Sequence, residues 1–218
     1  MTGNRTSSAL AIRRSSSDMS CHIRHARWYA NILAAIAILT MAACATTSDM
    51  VSDGLDPQTG VTFTYSNTPI ILYRDNPSRA AYARNYVHFG PIEVNKSGTY
   101  KYYLWLGIWS TMQTSDVAEQ RDSFESIVLI ADGEPLLLDL TGWTPAAIET
   151  SAPVYPKPVA SSMDAYYRVT ADQIRVIAEA GDLQLRTTGP SPQEYGLWAE
   201  QKLAKQDLIR FLHRVAVY

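Results

Sequence analysis

Cysteine is scarce in this sequence of 218 residues. Only Cys21 and Cys44 occur, and none follows in residues 45–218. That long segment therefore cannot close an internal disulfide, and it offers no thiolate to a metal. Its stability must come from a packed core, and a content of 46% hydrophobic and 18% charged residues is typical of a chain that forms one.

Histidine is almost as rare after Cys44, where only His88 and His213 occur, without the H-E-x-x-H spacing of zinc enzymes. No G-x-S-x-G motif is present, because Ser110 lies in G-I-W-S-T. One group of carboxylates lacks the spacing of a calcium loop and is expected to be a solvated loop or helical turn: Asp116, Glu119, Asp122 and Glu125. These absences predict a protein that is not an enzyme and that holds no metal and no cofactor.

An excess of basic charge is missing from most of the chain. Before Cys44 there are five arginines and one aspartate, whereas from Cys44 onward 20 acidic residues outnumber 14 basic ones. Binding to nucleic acid without sequence preference requires a basic surface. Nucleic acid is therefore not expected as a partner.

No apolar run is long enough to cross a membrane. Residues 32–43 read ILAAIAILTMAA, whereas a helix needs ~20 residues to cross a hydrocarbon core. Arginines precede this run and small residues end it, an arrangement typical of an export signal. The stretch L-T-M-A-A-C at 39–44 resembles the lipobox of bacterial lipoproteins, in which the cysteine is lipidated and the chain is cut before it. The resemblance covers the first fifth of the chain and implies a signal peptide at 1–43 and acyl chains on Cys44.

The same resemblance implies a location. Two or more acyl chains hold a protein stably to a bilayer, so Cys44 would anchor the mature chain to lipid. In Gram-negative lipoproteins an aspartate after the cysteine favours the inner membrane, and here that residue is Ala45. The expected location is the outer membrane, with the protein facing the periplasm. Met19 would begin a more compact signal, so translation is expected to start at Met1 or Met19.

The mature chain divides into a tether and one domain. Residues 44–60 contain the lipidated cysteine and then a polar stretch rich in turn formers, which predicts a flexible tether. Residues 61–218 are expected to form a single domain. Its predicted fold class is α+β, a mostly antiparallel sheet of about eight strands, sandwich-like or curved, with two helices in the last third.

Strand signals dominate the first two thirds of this domain. Residues 61–66 alternate apolar and polar side chains, and the turn at 67–69 is expected to lead into a return strand at 70–74. Two hairpins are predicted around Asn-Lys-Ser-Gly and Asp-Gly turns, with their strands at 86–94, 99–109, 127–130 and 135–140. Shorter strands are expected at 183–186 and near Tyr195.

Helix signals appear near the C-terminal end. Thr170 and Gln173 have the spacing of a capping box, which starts a helix, and Gly181 is expected to end it. Residues 199–215 predict a second helix. Its apolar stripe consists of Ala204, Leu208, Phe211, Leu212 and Val215.

Aromatic residues concentrate on the strand that begins at Thr99. One face carries Lys101, Tyr103, Trp105 and Trp109, and the other carries mainly aliphatic side chains. If both faces of the sheet are covered, all of these residues pack in cores, which is the favoured interpretation. If one side is open, the first set forms a platform that stacks on sugar rings or contacts a protein partner. This platform is the candidate binding site.

Residues 151–159, S-A-P-V-Y-P-K-P-V, form a stiff segment because three prolines fall within six residues. Such a segment either docks a partner or crosses between strands, and a crossover is the favoured interpretation.

The leading hypothesis is a membrane-anchored envelope lipoprotein that acts as a non-enzymatic binding or scaffolding module for another envelope protein or for peptidoglycan. A first alternative is an envelope hydrolase whose site is assembled from distant residues, such as His88 with Ser110 or paired carboxylates. A second is a carrier of an apolar ligand, which requires a closed or strongly curved sheet with a cavity.

Overall fold

The computed structural model describes residues 50–78, 80–112, 117–199 and 201–215. The segment from Asp49 to Tyr218 forms a compact unit. The predicted signal peptide, Cys44 and the first part of the predicted tether lie outside the described residues. Within the described part of the chain, every helix is too short or too polar to span a bilayer.

The described residues form ten strands, three α-helices and a short 3-10 helix at Pro145–Ile148. The helices are α1 (Val117–Ser123), α2 (Ala171–Glu179) and α3 (Lys202–Val215). The strands are β1 (Val51–Asp56), β2 (Val61–Ser66), β3 (Ile70–Asp75), β4 (Arg84–Lys96), β5 (Thr99–Ser110), β6 (Ser126–Ala131), β7 (Glu134–Gly142), β8 (Met163–Val169), β9 (Leu183–Thr187) and β10 (Glu194–Leu197).

Eight of these strands close into a barrel. Around the barrel the order is β3, β4, β5, β8, β7, β6, β9 and β10, and β10 pairs with β3 to complete the ring. Each neighbouring pair is antiparallel. The prediction of a mostly antiparallel sheet with helices is confirmed, and the closed barrel is more specific than the predicted sandwich-like or curved sheet.

Strand β4 is longer than the barrel requires, and its extra length builds an extension. One edge of β4 pairs with β3 along residues 84–89 and with β2 along residues 92–95. Since β2 and β3 are both antiparallel to β4, they run in the same direction. The prediction that residues 67–69 turn the chain into a return strand is therefore wrong, because the two segments lie end to end on one edge.

Strand β1 lies inside the segment that was predicted to be a tether. Its six residues pair in register with β2, from Val51 opposite Ser66 to Asp56 opposite Val61. The Asp56 carboxylate accepts hydrogen bonds from the amide of Gln58 and the hydroxyl of Ser151 at 2.9 and 2.8 Å. The prediction of a tether that reaches residue 60 is wrong, because the polar residues after β1 form a tight hairpin turn.

The interior of the barrel is filled by side chains. Alternate residues of the barrel strands point inward, as the period of two requires, and they join the buried faces of α2 and α3 in one core. Its largest members are the aromatic residues Phe89, Phe124, Tyr167, Tyr195 and Phe211. The Tyr167 hydroxyl donates a hydrogen bond to the carbonyl of Phe124 at 2.5 Å, so this buried polar group is satisfied.

Local helix and turn signals are confirmed. Thr170 and Gln173 form the reciprocal capping box at the start of α2, and the Asp132-Gly133 turn adopts positive φ angles of 49° and 88°. Helix α3 begins at Lys202 rather than at the predicted residue 199. Ala199 has a φ of 56°, which is outside the helical region and delays the start.

A second, smaller core lies outside the barrel. Residues 143–162, here called the crossover segment, connect β7 to β8 and lie on the outer face of β2, β4, β5 and β8. The segment contributes Ile148, Val154 and Tyr155 to a buried cluster. The strands contribute Val61, Ile92, Val94, Tyr103, Trp105 and Tyr166. The interpretation of the proline-rich stretch as a crossover is therefore confirmed.

Candidate functional site

The crossover segment covers half of the predicted aromatic platform. Tyr103 and Trp105 are buried, and Trp105 is 0% exposed. The indole of Trp105 stacks on the Tyr155 ring at 4.5 Å between centroids and donates a hydrogen bond to Asp164 Oδ1 at 3.0 Å. The prediction of an exposed platform is therefore wrong for Tyr103 and Trp105, because both side chains are part of the second core.

Lys101, the polar member of the predicted platform, forms an ion pair that connects the crossover segment to the barrel. Its ammonium group binds the carboxylate of Glu149, which also binds Lys96 at 2.9 Å. Hydrogen bonds from Lys101 and then Lys96 hold the pKa of Glu149 at about 2. Lys101 of the predicted platform therefore forms an ion pair within the protein.

Trp109 lies beyond the edge of this cover. Gly107 separates it from Trp105, and a Cβ atom at Gly107 would lie 2.7 Å from the Trp105 ring and 3.2 Å from Pro158 Cδ. The crossover segment therefore reaches the sheet at Gly107. Past that point the Trp109 ring stacks on the Tyr86 ring, with 4.5 Å between centroids and 15° between the planes.

Four aromatic side chains form a continuous half-exposed cluster on the barrel exterior, here called the aromatic surface: Tyr73, Tyr86, Trp109 and Trp198. The first three lie directly opposite one another across β3, β4 and β5. Trp198 packs edge-on against Tyr73 at 5.0 Å and Tyr86 at 5.5 Å. Gly196 lies opposite Tyr73 and leaves the neighbouring position open.

One cation completes the aromatic surface. The guanidinium of Arg84 lies 5.1 Å from the centre of the Trp198 ring and 5.7 Å from that of Tyr73, within the range of a cation–π contact. It also binds Asp75 at 2.9 Å, and this hydrogen bond raises the pKa of Arg84. Tyr82, which is 90% exposed, precedes Arg84 by two residues.

The histidine and serine that were considered as a nucleophilic pair lie on opposite faces of the sheet. His88 is on the outer face beside Trp109, with 6.2 Å between ring centroids, and burial lowers the pKa of its imidazole to about 4. Asn85, three residues earlier on β4, is the residue opposite Ser110. Ser110 Oγ instead donates to the carbonyl of Arg84 at 3.3 Å. The geometry does not assemble His88 with Ser110.

A cleft of about 330 Å³ lies between the extension and the end of α3. Glu93, Asp53, Tyr100 and Arg214 line part of it. Burial raises the pKa of Glu93, whereas that of Asp53 is lowered, because hydrogen bonds from Thr64 and Arg214 outweigh its own partial burial. Two carboxylates with opposite pKa shifts are a feature of acid–base sites, so this cleft is the second candidate.

The remaining carboxylates do not gather into a site. Among the residues that the structure describes, no group of three or more His, Cys, Asp or Glu side chains is placed to hold a metal ion. Asp122 lies on α1 and Glu125 just after it, and both are exposed. Asp116 and the side chain of Glu119 lie outside the described part of the chain.

No family model matches the chain, and no curated protein or solved structure matches it either.

Proposed function

We propose that this protein is an envelope lipoprotein, anchored through acylated Cys44, that acts as a non-enzymatic binding module for a protein partner. The resemblance of residues 39–44 to a lipobox supports the anchor, and Ala45 supports the outer membrane as its location. The partner would contact the aromatic surface. Peptidoglycan is the alternative partner that the test below distinguishes.

The observation that carries this proposal is the composition and rigidity of the aromatic surface. Trp, Tyr and Arg are the residues that dominate binding energy at protein interfaces. Here they project from adjacent strands of a closed barrel and contact one another, so their rotamers are restricted before a partner arrives. A contact made by restricted side chains loses less conformational entropy on binding.

The ring geometry favours a protein over a glycan. Binding to sugar requires an open aromatic face that is parallel to the pyranose ring. The faces of Tyr86 and Trp109 cover each other, and Arg84 lies over the face of Trp198. The cluster therefore presents ring edges and a guanidinium group, which suit the irregular side-chain contacts of a protein interface.

A photo-activated cross-linking residue in place of Tyr82 tests the proposal in cells. We expect one discrete cross-linked protein species, because Tyr82 is 90% exposed and precedes Arg84 of the aromatic surface by two residues. Trp198→Ala should reduce its yield at least tenfold, since truncation of an interface tryptophan commonly costs ~2 kcal/mol or more. Leu137→Ala is the matched control, because Leu137 is 62% exposed on strand β7, which is not part of the aromatic surface.

Two outcomes would contradict the proposal. One is a cross-linked species whose yield is equal in the Trp198→Ala and Leu137→Ala variants. The other is the absence of a protein adduct together with co-sedimentation of the chain with purified peptidoglycan that Trp198→Ala abolishes. The second result would assign the aromatic surface to the glycan.

The cleft around Glu93 supports one alternative, an envelope hydrolase with paired carboxylates. Glu93 is 5% exposed, its pKa is raised, and its Oε2 atom has no hydrogen-bond partner. A hydrolase of this kind would lose at least 100-fold in activity on glycan substrates in Glu93→Gln. If wild type and Glu93→Gln both show only background hydrolysis, this alternative is removed.

The filled barrel interior argues against a carrier of apolar ligands, because such a carrier needs an enclosed cavity.

A further inference from the structure

Helix α3 has an apolar side that the barrel does not cover. Its buried residues Ala204, Leu208, Phe211 and Val215 pack into the barrel core beside helix α2. On the other side, Leu203 is 65% exposed and Ile209 is 39% exposed. Both are large aliphatic side chains on the exposed half of α3, where they flank Lys202 and His213 on opposite sides, and such exposed apolar side chains point to a surface that something covers.

The same face is basic. Lys202, Arg210, His213 and Arg214 are exposed, whereas Asp207, the one acidic residue of α3, is buried. Arg214 is bound to Asp53 at the start of the extension. Helix α2 does not share this character, because it carries acidic as well as basic side chains. The positive charge therefore belongs to the exposed face of α3.

The described chain begins beside this helix. Met50 and Val51 line a cleft of about 440 Å³ together with Arg210, His213 and Arg214. Met50 follows Cys44 by six positions, and a fully extended chain of that length spans at most ~20 Å. A lipid anchor on Cys44 would therefore hold this cleft within ~20 Å of the acylated residue.

We propose that the exposed face of α3 lies on the surface of the bilayer that holds the anchor. Arg210 would contact the phosphates of anionic lipids, and Leu203 and Ile209 would enter the headgroup region. Basic helices with exposed aliphatic side chains bind the interface in this way, and each cation adds to the attraction toward an anionic surface. This inference rests on the proposed lipid anchor, which supplies the high local concentration.

The inferred orientation keeps the C-terminal end of α3 away from Tyr86. Glu93 and Asn95 of β4 lie at the cleft beside the end of α3, while Tyr86 lies near the start of the same strand. Tyr86 and Asn95 are nine positions apart on an extended strand, which is ~30 Å along β4. A protein partner could therefore contact Tyr86 while the C-terminal half of α3, which carries Ile209 and Arg210, contacts lipid.

A single labelled cysteine in the lipidated full-length product tests this orientation. Acylation blocks Cys44 and cleavage removes Cys21, so Ile209→Cys introduces the one reactive thiol. Tyr82→Cys, two residues before the start of β4, provides the matched control. The labelled proteins are reconstituted in vesicles that contain brominated lipid, with either phosphatidylglycerol or phosphatidylcholine headgroups. We expect lipid quenching of the label at 209 in the anionic vesicles, weaker quenching in neutral vesicles, and none at 82.

Charge removal gives the quantitative part of the test. Arg210→Gln should lower the ratio of docked to undocked protein about fivefold, since one cation near an anionic membrane is worth ~1 kcal/mol. Arg210 is exposed, and far-UV circular dichroism verifies that the variant folds. Equal quenching at 209 and 82, or quenching that Arg210→Gln and lipid charge do not alter, would overturn the inference.

Mass spectrometry of the mature N-terminus separates this inference from the proposed anchor. If Cys44 carries no acyl chains, the anchor itself fails. If Cys44 is acylated and the label at 209 remains accessible to a water-soluble quencher in anionic vesicles, the anchor stands and the inferred orientation of α3 is wrong.

Discussion

Gly90 allows the crossover segment to attach to the barrel, and Gly90→Ala should therefore destabilise the protein strongly. A Cβ atom on Gly90 would lie 2.3 Å from the Tyr155 hydroxyl and 2.5 Å from Tyr155 Cζ. That hydroxyl is hydrogen-bonded to the carbonyl of Pro91 and to Ser66 Oγ, both at 3.0 Å. The Tyr155 ring is buried and stacks on Trp105, so it has no free direction in which to move.

The expected loss of stability follows from the steric overlap with Tyr155 and from the hydrogen bonds that the overlap weakens. The added methyl group overlaps the phenol by more than 1 Å, and overpacking of this kind typically costs ~1–3 kcal/mol. Movement of the ring also weakens two buried hydrogen bonds, each worth ~1 kcal/mol. We expect a loss of about 3 kcal/mol in the free energy of unfolding, which for a domain of this size lowers Tm by ~6–12 °C.

Urea unfolding, followed by tryptophan fluorescence and circular dichroism, measures this loss. Gly196→Ala is the matched control, because a Cβ atom at that strand position meets nothing within 4 Å, and its effect should be below ~1 kcal/mol. In a Tyr155→Leu background the phenol is absent, so Gly90→Ala should cost ~1 kcal/mol or less. Equal costs of Gly90→Ala in the wild-type and Tyr155→Leu backgrounds would refute the reasoning.

Three further predictions follow from individual contacts. Thr170→Ala should remove the N-cap of α2 and cost ~1 kcal/mol in thermal unfolding, whereas Thr170→Ser should retain most of it. Lys101→Ala should raise the pKa of Glu149 from about 2 toward 4.5. A lowered carboxyl pKa stabilises the fold above about pH 4.5, so unfolding free energies of wild type and Lys101→Ala should differ at pH 7 and converge toward pH 2. His88 has a pKa of about 4 in the folded protein against 6.5 when exposed, so its contribution to stability should fall as the pH drops from 6.5 to 4. Trp109→Ala should return the His88 pKa toward 6.5 in an NMR titration.

Features set by neighbouring residues were predictable from the sequence. The Asp132-Gly133 hairpin and the Thr170 capping box were predicted because their geometry depends on residues only a few positions apart. The alternation of Leu183 and Leu185 with polar residues likewise identified β9, and both leucines are buried. In each case the local preference and the final fold agree, which is expected for a sequence whose local preferences do not conflict with its tertiary structure.

Long-range pairing was not predictable in the same way. The pairing of β10 with β3 closes the barrel, and it joins residues that are more than 100 positions apart. No turn signal specifies which edge β10 pairs with. Strand β1 was missed because its alternation is weak, with Val51 and Leu55 as its only large apolar residues, and its stability depends on an edge of β2 that β4 positions.

Part of the aromatic surface was within reach of sequence reasoning. The hairpin of β4 and β5 turns through Ser97 and Gly98, and this two-residue turn fixes the register of every pair along both strands. Counting back from the turn places Tyr86 opposite Trp109. The contact of Trp198 with Tyr86 was out of reach, because it requires barrel closure.

On the exterior of the barrel, Gly107 marks the boundary between covered and exposed aromatic side chains of β5. On one side of Gly107, Trp105 is covered by Tyr155 and is part of a core; on the other side, Trp109 is left beside Tyr86 on the surface. The two tryptophans lie on the same face of the same strand, so strand propensity cannot explain why only one is covered. If packing alone had set the edge of this cover at Pro158, polar residues would be expected beyond it. Aromatic side chains continue past that edge to Trp198, which is the arrangement expected where a partner supplies the remaining cover.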